Sequence, residues 1–156
     1  IKDAPPSELA NNFSDFFILN DVLKNISFLK KWGLFEYPIL KNWYNNRILL
    51  LGDACHPILP YLAQGASQAI EDSYVLFECM KSNFDNKCPS KIFRKYTDKR
   101  YLRVQKIKNA SRKNATLYHL KNPFLKFFFH LSLKIAGYFP NFILKRFAWI
   151  YAGGPL

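Results

Sequence analysis

The sequence predicts an α/β fold, mostly helical over its 156 residues, with a few strands that belong to incomplete sheets. Three observations carry this prediction. Residues 47–51 (RILLL) form a short apolar run that stops abruptly at Gly52-Asp53, the pattern of a strand buried on both faces. Beyond a proline-containing loop, Gly65 opens a helical periodicity, which gives the strand–loop–helix order of an α/β unit. From Pro89 to about Leu120 a second, longer helical pattern follows.

In chain order, residues 1–12 hold Pro5, Pro6 and a polar run and read as a loop. Between 13 and 31, Phe13, Phe16, Phe17, Leu19, Val22, Leu23, Ile26 and Leu29 recur at helical spacing, enough for one or two helices, with Asn20-Asp21 able to cap the second. Residues 32–40 are aromatic, contain Pro38, and read as a strand or extended segment. Residues 42–46 are a polar turn. After Gly65 the expected apolar face is Ala66, Ala69, Ile70, Tyr74, Leu76, Phe77 and Met80. The long helix presents Phe93, Tyr96, Val104, Ile107 and Tyr118, with a Lys/Arg-rich opposite side. Pro123 breaks it. Residues 124–139 are strongly apolar, but the run is short and holds Lys126, His130 and Lys134, so it does not read as a transmembrane helix. A core or interface helix is expected there, ahead of a membrane-surface helix. The tail ends in a small aromatic cluster.

Composition narrows the class. Apolar residues make up 49% and charged residues 22%, which supports a core and excludes global disorder. Residue 1 is Ile, and no basic segment, apolar run and cleavage site open the chain, so no signal peptide is visible; the start is expected to be an arbitrary cut into a longer protein. Three cysteines (Cys55, Cys79, Cys88) with no CxxC, and three unclustered histidines, argue against a disulfide framework or a metal site and for a reducing, cytoplasmic setting. The net charge of +12 is uneven: residues 1–80 hold 6 basic and 9 acidic side chains, residues 81–156 hold 17 and 2. Such asymmetry suits a basic binding surface, but Lys outnumbers Arg 17 to 6, a bias that also follows from AT-rich coding. No RNA- or DNA-binding motif accompanies the charge, so no nucleic-acid partner is expected.

The chemistry concentrates between Trp43 and Leu76. Gly52 permits a tight turn or a close ligand approach. Asp53 stands at the carboxyl end of the strand, the edge where open α/β sheets bind ligands, and a carboxylate there accepts hydrogen bonds from sugar or ribityl hydroxyls. Pro57 and Pro60 hold the loop extended. Gly65 opens a helix whose first N–H groups lack partners and favour negative charge.

This run resembles the group A FAD-dependent aromatic-ring monooxygenases, above all their salicylate-hydroxylase-like branch. The family pattern is a basic residue, an apolar strand, GDAAHP, then P-x-x-x-Q-G-x-x-x-A-x-x-D. It is matched here by Arg47, Leu49 to Leu51, Gly52, Asp53, Ala54, His56, Pro57, Pro60, Gln64, Gly65, Ala69, Glu71 and Asp72, with Cys55 replacing a small residue. Weaker likeness continues through Tyr96, Arg100, Arg103, Gln105, Ser111, Arg112, Asn114, His119 and Leu120 to Trp149-Ile150-Tyr151.

The resemblance implies the C-terminal part of a flavoprotein hydroxylase fold. Residues 1–42 would end a substrate-binding domain, 43–82 would complete the FAD-binding domain, and 83–156 would form a C-terminal helical region. It implies FAD as cofactor, NADH or NADPH as electron donor, and O2 and an aromatic small molecule as substrates. Gly52, Asp53, Pro60, Gly65, Ala66 and Ser67 would bind FAD: Asp53 the ribityl chain, the backbone at Ala66 and Ser67 the pyrimidine edge of the ring. Pro57 would line the pocket. The family's GxGxxG unit, which binds the ADP part of FAD, has no counterpart among the six glycines. The chain is therefore expected to be inactive alone.

Several residues keep two readings. His56 is either a base or a structural hydrogen-bonder of the loop, the latter favoured. Asp53 is either a flavin ligand or a cap. Glu71 and Asp72 either contribute to the site or only satisfy the helix dipole. Arg100 and Arg103 either meet NAD(P)H phosphates or form structural ion pairs, the latter favoured. Cys55 has no motif that makes it a nucleophile. The competing functional reading is a non-catalytic basic helical module that binds an anionic membrane surface or a protein partner.

Overall fold

The computed structural model describes residues 1–13, 17–82 and 88–151, and the chain divides into two compact units, residues 1–35 and 36–156. The first unit contains strand β1 (Lys2–Ala4), helix α1 (Pro6–Asn12), a 3-10 turn (Phe17–Leu19), helix α2 (Asn20–Lys24) and strand β2 (Leu29–Lys31). β1 and β2 pair antiparallel, Lys2 opposite Lys31 and Ala4 opposite Leu29. Glu8 on α1 is ion-paired with Lys31.

The N-terminal loop expectation is thus corrected. Pro6 opens a helix instead of preventing one, because proline at the first helical position forfeits only an N–H that has no partner there. The helical pattern over 13–31 also shrinks: residues 29–31 are a strand, and Leu19, not Asn20, occupies the position before α2. Phe16 of that pattern lies outside the described residues, as do 152–156 of the tail.

Residues 32–40, the end of the first unit and the start of the second, form no strand, although the Leu40 N–H donates to Cys55 O at 3.1 Å within the second unit. A hairpin follows, β3 (Tyr44–Asn45) against β4 (Ile48–Leu49), turning at Asn46 with φ 51°. The five-residue strand buried on both faces is therefore reduced to two ladder residues, and Ile48 is 69% exposed. The cause is local: the strand has one partner among the described residues, so its outer face meets no second layer.

Four helices complete the unit: α3 (Gly65–Lys81), α4 (Pro89–Tyr118), α5 (Pro123–Gly137) and α6 (Pro140–Tyr151). α3 packs along α4. Trp43, Cys55, Val75, Cys79, Tyr96 and Val104 form the main core, and Leu62, Ile107 and Ile150 a second one. The buried stripe of α3 is Gln68, Asp72, Val75 and Cys79. Of the predicted apolar face, Leu76 packs against the core and Ala69 meets Gly52, but Ile70 is 71% exposed and Tyr74, Phe77 and Met80 are also open. α4 buries Tyr96, Arg100, Val104, Ile107, Lys108 and Ser111, while Tyr118 is exposed. Pro123 starts α5 rather than merely ending α4, with Asn122 accepting from the N–H groups of Phe124 and Leu125. α5 buries no residue, which removes it from the core. No helix among the described residues is long and apolar enough to cross a membrane.

Candidate functional site

The Gly52-Asp53 turn is a 3-10 turn whose first residue has φ 56°, a left-handed conformation that glycine adopts without strain. A Cβ on Gly52 would also stand 3.1 Å from the Ala69 Cβ of α3. The turn and the helix therefore touch at two residues too small to hold them apart. Cys55 N–H and His56 N–H both donate to Gly52 O, at 3.1 and 3.0 Å.

The carboxylate that follows is left open. Asp53 is exposed and has no hydrogen-bond or ion-pair partner among the described residues. It lies beside the start of α3: a Cβ on Gly65 would come within 3.9 Å of Asp53 Oδ1. Gln64 precedes the helix without capping it, and no acidic side chain occupies its first turn. Ala66 and Ser67 are exposed there. An unpaired, exposed carboxylate thus lies next to a set of uncapped N–H donors, one able to accept and the other to donate hydrogen bonds.

α4 holds the loop that follows by its backbone. Lys108 Nζ donates to Pro57 O at 2.8 Å and to Tyr37 O, Ser111 Oγ to Leu59 O at 2.7 Å, and Asn114 Nδ2 to Tyr61 O at 3.2 Å. These three side chains recur every three residues on one side of α4. Pro60 begins a second 3-10 turn (Pro60–Leu62), and Ala63 follows at φ 51°.

The deepest part of the site is a charge network. Arg100 is fully buried. It donates from Nε to Asp72 Oδ1 (2.7 Å), from Nη1 to Glu71 Oε2 (2.6 Å), and from Nη2 to Gln68 Oε1 (2.7 Å). Asp72, also fully buried, accepts with Oδ2 from the Gly52 N–H at 2.9 Å and from His56 Nε2 at 2.6 Å. Arg103 grips Glu71 with two nitrogens, at 2.6 and 2.7 Å, and reaches Trp149 O at 3.1 Å, which ties α6 to the same cluster. Glu71 and Asp72 are therefore ion-pair partners, not donors of charge to the helix dipole. Arg100 and Arg103 are consumed by those pairs.

Burial pushes the Asp72 carboxyl up, but the hydrogen bonds from His56, Arg100 and Gly52 outweigh it and hold the group below the usual carboxylate range. In Glu71 burial also raises the carboxyl, and the hydrogen bonds from Arg103 and Arg100 bring it below its ordinary value. Burial, helped by the Asp72 charge, pushes the Cys55 thiol up to about 12, so it stays a thiol and not a nucleophile near neutral pH. His56 is buried, and its Nδ1 has no hydrogen-bond partner. Nε2 carries the proton that is donated to Asp72, because an ionised carboxylate can only accept.

Sequence reasoning missed Gln68 and Lys108. Their signal was positional: Gln68, Asp72, Val75 and Cys79 recur at helical spacing on α3, and Arg100, Val104, Ile107, Lys108 and Ser111 do so on α4. Polar residues at core positions that face one another across two helices mark a paired network. Among the described residues, no group of three or more His, Cys, Asp or Glu could hold a metal ion.

Residues 2–111 match the family described as FAD binding domain. The chain is 36% identical over 99 residues to a 3-amino-4-hydroxybenzoate 2-monooxygenase of Streptomyces cremeus, covering 64% of this chain and 25% of the relative. It is 39% identical over 95 residues to a 6-hydroxynicotinate 3-monooxygenase of Bordetella bronchiseptica, covering 61% and 24%. It is also 39% identical over 93 residues to the 3-hydroxybenzoate 6-hydroxylase 1 of Aquipseudomonas alcaligenes, covering 59% and 23%. The chain spans about a quarter of the length of the curated relatives it matches.

Proposed function

The chain belongs to the FAD-binding domain family, and on that premise we propose that it is the flavin-ring half of an FAD-dependent monooxygenase that hydroxylates an aromatic ring. NADH or NADPH would be the electron donor. The observation that carries this reading is the pairing of the open Asp53 carboxylate with the uncapped start of α3 across two glycines. The residues present fit the group: a ribityl chain offers hydroxyl donors to Asp53, and the pyrimidine edge of the flavin ring offers acceptors to the N–H groups at Ala66 and Ser67.

Each residue then has a task. Asp53 orients the ribityl chain. The N–H groups at the start of α3 hold the ring edge and favour negative charge there. Gly52 lets the turn close against Ala69 of α3, Gly65 leaves room for the cofactor beside Asp53, and Pro57 and Pro60 line the pocket. Bound FAD supplies the redox chemistry, passing two electrons from the nicotinamide to O2 so that one oxygen atom enters the ring and the other leaves as water. His56 is assigned to fixing the turn through Asp72, not to moving a proton. Residues 1–42 are read as the end of a substrate-binding domain, 43–82 as part of the FAD domain, and 83–156 as the helical region that braces it.

The relatives' names point to the substrate class. Three of them act on 3-amino-4-hydroxybenzoate, 6-hydroxynicotinate or 3-hydroxybenzoate, each by name a hydroxylated aromatic carboxylate. A ring of that class, salicylate among them, is the proposed substrate. The test is to purify the whole protein and record its visible spectrum and its oxidation of NADH and NADPH with a panel of hydroxybenzoates. Bound flavin, and substrate-stimulated oxidation with a product one oxygen heavier, is the expected result. A colourless protein with no stimulated oxidation would refute the proposal.

A further inference from the structure

The two C-terminal helices lie beyond residues 2–111, the part that matches the FAD-binding family; Arg103 ties α6 to the network above, and the site leaves α5 without a role. α5 is fifteen residues long and buries none of them. On it Phe124, Phe128, Leu131 and Ile135 are all exposed and spaced four, three and four apart, so they form one stripe along the helix. Lys126, His130 and Lys134, each four residues apart, lie on the side of the helix turned away from that stripe. α6 repeats the arrangement. Arg103 holds the Trp149 and Ile150 carbonyls, and Lys106 lies 4.2 Å from the centre of the Trp149 ring. Leu144, Phe147 and Tyr151, at spacings of three and four, remain exposed.

An isolated helix of this length is marginal in water, and an apolar stripe needs a covering surface. Charge identifies that surface. Between residues 119 and 151 the sequence holds Lys121, Lys126, Lys134, Lys145 and Arg146 and no Asp or Glu. The geometry points to an anionic lipid surface as the partner, with α5 and α6 lying in the interface plane and their cations among the headgroups. Neither helix is long and apolar enough to span, and aromatic and leucine side chains flanked by lysines are the composition of helices that lie in the interface. The inference is independent of the flavin reading, since no residue of the Asp53 site takes part.

The test uses the whole protein in sedimentation with vesicles of phosphatidylcholine alone or mixed with phosphatidylserine. Binding to the mixed vesicles only, weakened by added salt, is expected. Replacing Lys126, Lys134 and Lys145 with Gln should lower the partition constant roughly fivefold for each cation removed. A Phe128→Ser, Leu131→Ser variant should unfold at the parent temperature and lose vesicle binding. Absent binding, or equal binding to both vesicles, would overturn the proposal. A drop in that variant's unfolding temperature would do so as well, because it would mean that the rest of the polypeptide covers the stripe.

Discussion

Arg100 is the residue on which the site's geometry depends most heavily. Its guanidinium is fully buried and donates from Nε and Nη1 to two carboxylates and from Nη2 to a glutamine oxygen, so each of its three nitrogens has an acceptor. A buried pair of this kind adds little over an apolar replacement of the whole cluster, but removing one member strands the other. Arg100→Met should therefore cost about 3–5 kcal/mol in urea unfolding. Arg100→Lys should recover only part of this loss, since one ammonium cannot reproduce the fork of donors. The sign of the pH dependence follows from Asp72 and Glu71, whose carboxyls sit below their ordinary values. Their stabilising contribution is fully present above the unfolded carboxylate value, near pH 4, and is lost as pH falls through the lowered folded values. Asp72→Asn should flatten that acid limb, measured as unfolding midpoint against pH; an unchanged acid limb would show that Asp72 does not drive it.

At the scale of elements, the Gly52 turn and the start of α3 are one construction. Gly52→Ala places a side chain at φ 56° and 3.1 Å from Ala69. The left-handed conformation alone costs about 1–2 kcal/mol, and relieving the contact would displace Asp53 from α3. The expected outcome is a lower unfolding temperature together with a larger loss of bound flavin. Asn122→Ala should cost about 1 kcal/mol, confined to α5, because its side chain caps two N–H groups there. Amide hydrogen exchange at Phe124 and Leu125 would report the loss.

These elements also show what was legible in the sequence. α4 begins at Pro89 and α3 at Gly65, as the periodicity and the start signals indicate, because proline and glycine punctuate helices through local sterics. The inward face of α3 was not legible. A periodicity rule puts Ile70, Tyr74 and Phe77 inside, whereas the helix buries Gln68 and Asp72 because Arg100, thirty residues away on another helix, pairs with them. Likewise the 47–51 run reads as a buried strand, but its burial requires neighbours that local sequence cannot provide. Asp53 and its surroundings were legible because turn, loop and helix start are contiguous in the chain.

On the scale of the whole molecule, the FAD-family match ends where the long helix is still running, and the strongly basic, apolar hairpin of α5 and α6 comes after it. The buried network joins α3, α4 and α6 through Glu71, Asp72, Arg100 and Arg103, so these helices fix the shape of the Gly52–Ser67 segment while Asp53, Ala66 and Ser67 stay exposed. A segment held rigidly by its neighbours in this way keeps its exposed polar groups in fixed positions. The most direct measurement is a titration of FAD into the flavin-free whole protein, comparing the parent with Asp53→Ala. Asp53 is exposed and without partners among the described residues, so the variant should unfold at the parent temperature. The proposal predicts FAD binding weakened by about tenfold to a hundredfold, the loss of hydrogen bonds to one charged group. An Asp53→Ala protein that binds FAD as tightly as the parent would contradict it.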